Sequence, residues 1–247
     1  MISIKTEEEI VLMRGANAIV RDLLLYLEEH IKPGITTKRL DALAYDFIVK
    51  NNAKPSFLGF EGYPASICTS IDAQVVHGIP SERKLVEGEI ISVDVGTIYK
   101  GYQGDAARTF AVGEISAEKQ RLIDVTRESF FKGIECLKDG ARLGDLGYAI
   151  QSYAEKNGYS VVRALTGHGI GREMHEDPAI PNFGKAGRGM RVKAGMTLAI
   201  EPMINMGDYD VLLLDDGWTV VTADYKPSAH YENTVLVTEN GVEILSL

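Results

Sequence analysis

Glu89-Ile-Ile-Ser-Val-Asp-Val-Gly-Thr-Ile-Tyr99 and Tyr102-Gln-Gly-Asp-Ala-Ala-Arg-Thr-Phe-Ala-Val112 read as two strands joined by a tight turn at Lys100-Gly101. Each carries one carboxylate among residues suited to a core, Asp94 on the first and Asp105 on the second. Residues opposite each other across a two-residue hairpin have an odd separation and share a face, as these two do. The hairpin therefore sets the two carboxylates side by side, where like charges repel unless a cation lies between them. Taken alone, Asp105 after Gly104 also reads as a turn or bulge residue.

Three more side chains of metal-ligand type follow, His168, Glu201 and Glu232. Glu201 lies inside Met196-Thr-Leu-Ala-Ile-Glu-Pro-Met203, and Glu232 precedes Asn233-Thr-Val-Leu-Val237 at the start of a strand. Burying a carboxylate without a partner is unfavourable, and four converging carboxylates would drive some of their pKa values up. Two divalent cations would neutralise the four, and one imidazole would complete an oxygen-rich, borderline-soft site. That is the ligand set of a two-metal enzyme. In isolation Glu232 reads as an exposed edge-strand residue, and His230 as its outward neighbour.

His168 and His175 share the segment Gly167-His-Gly-Ile-Gly-Arg-Glu-Met-His-Glu-Asp-Pro178. Its alternating glycines exclude a helix and free the backbone to approach a ligand. Seven residues put two side chains on opposite faces of a straight strand, so the segment must bend if both enter one site. His77, in Val75-Val-His-Gly-Ile-Pro80, has the flank of a strand end entering a turn, and His30 reads as a solvated cation at a helix end.

Around the hairpin the chain repeats itself. Thr6-Glu-Glu-Glu9 opens a helix as a capping box, running to about His30, and a second helix spans about Thr37 to Lys50. Strand-like pieces follow, including Ala65 to Ser70 and the hairpin. The order recurs with helices from about Ser116 to Lys138 and Leu143 to Asn157, then strands near Val161-Val162, Met196 to Ile200 and Tyr231 to Thr238. Ile31-Lys-Pro-Gly34 echoes Leu137-Lys-Asp-Gly140 at an offset of 106, which also aligns Leu40 with Leu146. One residue further, Gly88 falls on Gly195 and Asp94 on Glu201. A pseudo-symmetric α+β domain follows, one catalytic unit over 1–247 with halves of about 1–113 and 114–247 and its site at their seam.

Composition narrows the function. The net charge of −9 argues against a broad nucleic-acid surface. Two cysteines, Cys68 and Cys136, support neither a disulfide framework nor a Cys-rich zinc site, which fits a reducing, cytoplasmic location. The acidic start of the chain lacks the long apolar run of a signal peptide, and no stretch is apolar enough to span a bilayer. Signatures for a phosphate loop, a nucleophile elbow, a dinucleotide fold and a His-Glu-x-x-His zinc site are absent.

With these motifs together, His77-Gly-Ile-Pro80, Asp94 with Gly104-Asp105, Gly167-His168-Gly169 through Pro178, Ala199-Ile-Glu-Pro202 and Tyr231-Glu232, the chain resembles a type I methionine aminopeptidase of the short bacterial kind. The resemblance covers essentially the whole chain and implies the pita-bread fold of peptidase family M24, two pseudo-symmetric halves with a central antiparallel sheet and outer helices. It implies two divalent ions, studied in the family as cobalt, manganese or iron(II), with Asp105 and Glu232 bridging them, His168 and Glu201 on one and Asp94 on the other. Two close dications hold a hydroxide at neutral pH and polarise a carbonyl. By the same resemblance Glu201 takes the proton of the attacking water, His175 stabilises the oxyanion and His77 contacts the scissile amide nitrogen. The expected reaction is removal of the initiator methionine from a deformylated nascent chain when the next residue is small. The expected partners are that N-terminus and a transient ribosome contact, with no DNA and no membrane, for a monomer.

An apolar, adaptable slot for methionine maps to Phe57, Phe60, Tyr63, Cys68 and Trp218. Three residues depart from the usual family pattern: Phe57 where many members carry cysteine, and Glu61 and Gln103 where histidine is expected. They bear on the width of the slot, the charge of its rim and the surroundings of Asp105. The rivals are a proline-directed relative such as aminopeptidase P or prolidase, and a non-catalytic pita-bread binding protein. The first usually carries a sizeable N-terminal domain, whereas here only 93 residues precede Asp94. The second would have lost ligands that this chain retains.

Overall fold

In the computed structural model, which describes residues 2–247, the first helix starts where the capping box lies. Thr6 Oγ1 accepts from Glu9 N at 3.3 Å, and the Glu9 carboxylate accepts from Thr6 N at 3.0 Å. This helix, α1 (Glu7–Glu28), buries Ile10, Met13, Val20, Leu23, Leu24 and Leu27 along one side. Then come α2 (Thr37–Lys50), β1 (Lys54–Pro55), a single 3₁₀ turn (Phe60–Gly62), β2 (Ile67–Ile71), β3 (Gln74–Val76), β4 (Ile90–Tyr99) and β5 (Tyr102–Ala111). The second half begins with α3 (Ala117–Ile134), α4 (Leu143–Lys156), β6 (Ser160–Val161), β7 (Gly167–Gly169), β8 (Glu176–Ile180) and β9 (Thr197–Ile200). It ends with β10 (Met203–Asn205), β11 (Val211–Leu213), β12 (Val220–Thr222), β13 (Ser228–His230), β14 (Asn233–Val237) and β15 (Val242–Ile244).

The hairpin closes on Lys100 and Gly101, both at positive φ as the favoured two-residue turn requires. That turn pairs Tyr99 with Tyr102 and sets the whole register of β4 and β5. In one sheet β4 also pairs with β1 and β2; a second runs β15-β14-β9-β7-β8, and smaller sheets join β13-β10-β6 and β11-β12-β3.

The two halves match in their bonds as well as their order. Gly34 N donates to Leu85 O at 2.8 Å, and Gly140 N to Val192 O at 2.9 Å. The bridges Thr36–Lys84 and Arg142–Arg191 occupy the same places beside α2 and α4. Leu40 and Leu146 are both fully buried, each in the core between its helix pair and its sheet. Burial of such a side chain stabilises by about 2 kcal/mol, so each half carries its own apolar layer and the sheets meet between them.

Two local expectations change. α3 ends at Ile134, short of Lys138. His30 is part-buried, with Nδ1 2.8 Å from Tyr26 O and its ring against Tyr26, so it caps a helix end instead of standing free in solvent.

Candidate metal centre and substrate cavity

The register of the sheets decides which side chains meet. Asp94 pairs with Ala107 and Asp105 with Gly96, so the two aspartates are diagonal neighbours on one face, not directly opposite. Across β7, His168 pairs with Ala199. Glu201, two residues beyond Ala199, returns to the same face by the period of a strand. Asn233 pairs with Ile200, and Met203 with His230, so Glu201 and Glu232 lie opposite each other where their strands leave one sheet and enter the next. Pro202, which has no N–H to give a ladder, occupies that break.

These placements bring Asp105, His168 and Glu232 together, with one ligand atom of each within 4.8 Å of the others. His168 Nε2 is 3.7 Å from both Asp105 Oδ2 and Glu201 Oε1. Its Nδ1 is 2.9 Å from Gly169 O, and an N–H donated there leaves Nε2 free to ligate. Asp94 faces the same cavity from β4.

The electrostatics are those of a site short of positive charge. Burial raises Asp94 to about 7. Asp105, Glu201 and Glu232 are pushed well above the carboxylate range, first by burial and then by their acidic neighbours. Burial holds His168 down near 4, a neutral ring at pH 7. Asp94 Oδ1, Asp105 Oδ1 and Glu232 Oε1 are buried without a hydrogen-bond partner among the described residues. Orphaned carboxylate oxygens gathered with a neutral imidazole are the donor set a divalent cation satisfies.

The centre opens into a cavity of about 870 Å³. Phe57, Phe60, Tyr63, Cys68 and Trp218 all line it, as do His77 and His175. Phe57 rests on Gly96, where an added Cβ would lie 2.6 Å from the ring. Tyr63 is buried, with its hydroxyl 3.0 Å from Gly78 O and its ring edge-on to Trp218. Cys68 pairs with Asp94, and burial raises its thiol well above the usual value. The chain bends between β7 and β8, so that His175 meets His168 edge-on at 4.4 Å and stands at the exposed lip. Desolvation lowers the pKa of His175, against the opposing Glu61 charge, and burial lowers that of His77.

The sequence profile of metallopeptidase family M24 matches residues 11–239. The chain belongs to that family. Among M24 proteins it is similar to a methionine aminopeptidase of Clostridium perfringens, 57% identical over 247 residues and covering 100% of this chain and 99% of that one. The crystal structure of methionine aminopeptidase from Rickettsia prowazekii superposes with a TM-score of 0.99 at 48% identity, over 100% of both chains. A prolidase from Pyrococcus furiosus superposes with a TM-score of 0.79 at 25% identity, over 99% of this chain and 65% of its own. The pita-bread fold expected from the motifs is the fold of this M24 chain.

Three features of the M24 site differ from the reading of the residues alone. Glu232 is 2% exposed, not an edge-strand residue. His230, set aside as an outward neighbour, is 1% exposed and directed inward, with Nε2 3.8 Å from Glu201 Oε2 and 3.9 Å from Glu232 Oε2. The spacing of two from Glu232 was a local hint, but the chain changes sheet at Tyr231-Glu232, and that change decides where His230 points. The glycines at 167 and 169 answer first to backbone packing, although Gly167 also lines the cavity. A Cβ there would lie 2.3 Å from Ala199 O and 2.2 Å from Asp177 O, so they allow close backbone packing around His168. Gln103, in turn, directs its hydrogen bonds away from the Asp105 carboxylate. It accepts from Ser56 and donates to Arg172 O at 3.3 Å, tying β5 to the bend that carries His175.

Proposed function

We propose that this M24 hydrolase is a methionine aminopeptidase, removing the initiator methionine from nascent chains when the second residue is small. The observation that carries the reading is one cavity holding a four-carboxylate, one-imidazole cluster at its floor beside an apolar wall of Phe57, Phe60, Tyr63, Cys68 and Trp218. Asp94, Asp105, His168, Glu201 and Glu232 would hold two divalent ions, manganese, iron(II) or cobalt. Bound there, the ions supply Lewis acidity toward the scissile carbonyl and acidify water.

The side chains do the rest. Glu201 accepts the proton of the attacking water, its basicity favoured by burial beside Asp105. His175, at the lip and neutral, donates to the developing oxyanion, the kind of interaction worth 10²–10³ in rate. His77 contacts the amide nitrogen from the end of β3. The free α-amine is drawn to the acidic floor, which restricts cleavage to the first residue. Residues 1–247 act as one catalytic domain, with a cytoplasmic, monomeric enzyme meeting chains as they leave the ribosome.

The test is cleavage of Met-Ala-Ser, Met-Lys-Ser and Ala-Pro peptides by chelated protein to which Mn(II), Fe(II) or Co(II) is returned. Only the first peptide should be cut, and only with metal. Magnesium, which prefers all-oxygen octahedral sites, should substitute poorly. Turnover of Ala-Pro in place of Met-Ala-Ser would shift the reading to a proline-directed peptidase.

A further inference from the structure

We propose that His230 is a positioning residue of the metal centre: its imidazole holds the outer oxygens of Glu201 and Glu232, and so sets which oxygens those glutamates turn toward the metal ions. This rests on the two-metal reading above.

Glu201 has its two oxygens divided between two histidines. Oε1 faces His168 Nε2 at 3.7 Å, and Oε2 faces His230 Nε2 at 3.8 Å. The Oε2 of Glu232 lies 3.9 Å from the same His230 nitrogen. His168 spends its other nitrogen on Gly169 O, whereas both ring nitrogens of His230 are buried with no hydrogen-bond partner among the described residues. An unpartnered buried imidazole is unfavourable, and these carboxylate oxygens are acceptors within reach. A closure of about 1 Å makes the bond. A carboxylate held by its outer oxygen offers the other to a metal in one orientation.

The backbone beneath the ring is rigid. Thr109 Oγ1 donates to His230 O at 2.9 Å, and His230 N donates back to Thr109 Oγ1 at 2.9 Å. Thr234 Oγ1 makes the matching bond to Asp105 O at 2.9 Å. The spacing that carries Thr109 to Thr234 also carries Asp105 to His230. The second half therefore places an imidazole where the first places a candidate bridging carboxylate.

The experiment compares full-length wild type, His230→Leu and His230→Gln by Mn(II) calorimetry, thermal melting with and without Mn(II), and Met-Ala-Ser kinetics. His230→Leu should bind Mn(II) at least about tenfold more weakly, the scale for losing an outer-shell partner. Its metal-free melting temperature should stay close to that of wild type, because a buried polar ring is lost together with the donor it offers the glutamates. KM should hold while kcat falls, and His230→Gln, which keeps an amide donor, should recover most of the affinity and rate. Unchanged Mn(II) affinity in His230→Leu, or no recovery in His230→Gln, would overturn the proposal. Pulsed EPR of the Mn(II) protein should show one directly bonded imidazole; a second one lost in His230→Leu would make His230 a ligand instead. Wild type that binds no Mn(II) would sink the two-metal reading and this proposal with it.

Discussion

Ala107 and Glu232 pair across the seam between the two halves, Glu232 N donating to Ala107 O at 3.0 Å and Ala107 N to Glu232 O at 3.4 Å. On either side, Thr109 reaches His230 O and Thr234 reaches Asp105 O, each at 2.9 Å. The seam is thus self-complementary: corresponding residues of β5 and of the strand leading into β14 bind each other about one centre. Candidate ligands from separate halves stand on one hydrogen-bonded floor, and a metal site needs that rigidity.

That floor concentrates negative charge, with a consequence for pH. Burial lifts Asp94 from its usual 3.8 to about 7, so the folded metal-free chain holds protons that the unfolded chain has lost. The contribution to stability is present at low pH and disappears as pH rises through about 7. Metal binding requires the carboxylates bare, so Mn(II) binding at pH 6 should release protons, and affinity should climb as pH rises through about 7. His168, near 4, is already neutral and releases none. Calorimetry in buffers of different ionisation heat counts the protons; zero release at pH 6 contradicts the raised carboxylates.

Glu201→Gln removes a ligand charge and the proposed base together, and should lower kcat by several orders of magnitude. His175→Ala should lower it by about 10²–10³ with metal still bound, the scale of one oxyanion donor. Loss of metal binding in His175→Ala would mean that the two histidines have exchanged roles.

The wall of the proposed methionine slot is testable at Gly96. A methyl there would stand 2.6 Å from Phe57 Cε1, 2.9 Å from Ser56 Cβ and 3.0 Å from Met174 Cε. Gly96→Ala should therefore narrow the slot and raise KM for Met-Ala-Ser about tenfold, within the 1–3 kcal/mol of an overfilled pocket, while Mn(II) affinity holds. Phe57→Cys should widen the slot and admit bulkier first residues in an X-Ala peptide series. An unchanged series would remove Phe57 from the pocket.

Lys5 Nζ meets Glu176 at 2.6 Å, with side-chain exposures of 3% and 13%. Glu176 also accepts from Arg172 N at 2.9 Å, inside the bend that brings His175 to His168. Lys5→Ala leaves the part-buried Glu176 carboxylate with backbone N–H donors but no cation, and should destabilise the chain by about 1–3 kcal/mol. It should also lower kcat more than Mn(II) affinity, because the bend carries His175. A melting temperature equal to wild type would show that the pair carries no weight.

Much of this was legible in residues close together in the chain. The turn at Lys100-Gly101 and the odd spacing of Asp94 and Asp105 placed both on one face, since a tight turn and the period of a strand are local properties. The capping box at Thr6 marked the start of α1 for the same reason. The echo of Ile31-Lys-Pro-Gly34 in Leu137-Lys-Asp-Gly140 announced two matched halves, because equal turns are built from similar residues.

Tertiary structure alone decided what depends on partners far apart in sequence. The register of β4 with β5 made the aspartates diagonal. The change of sheet at Glu201-Pro202 and again at Tyr231-Glu232 put the two glutamates opposite each other, buried Glu232, and turned His230 inward beside them. Pairing with β9 and β8 showed that Gly167 and Gly169 make room for backbone. A strand's own pattern says which side chains share a face. Which face is covered, and what it meets there, is set by strands and helices that reach it from the other half of the chain.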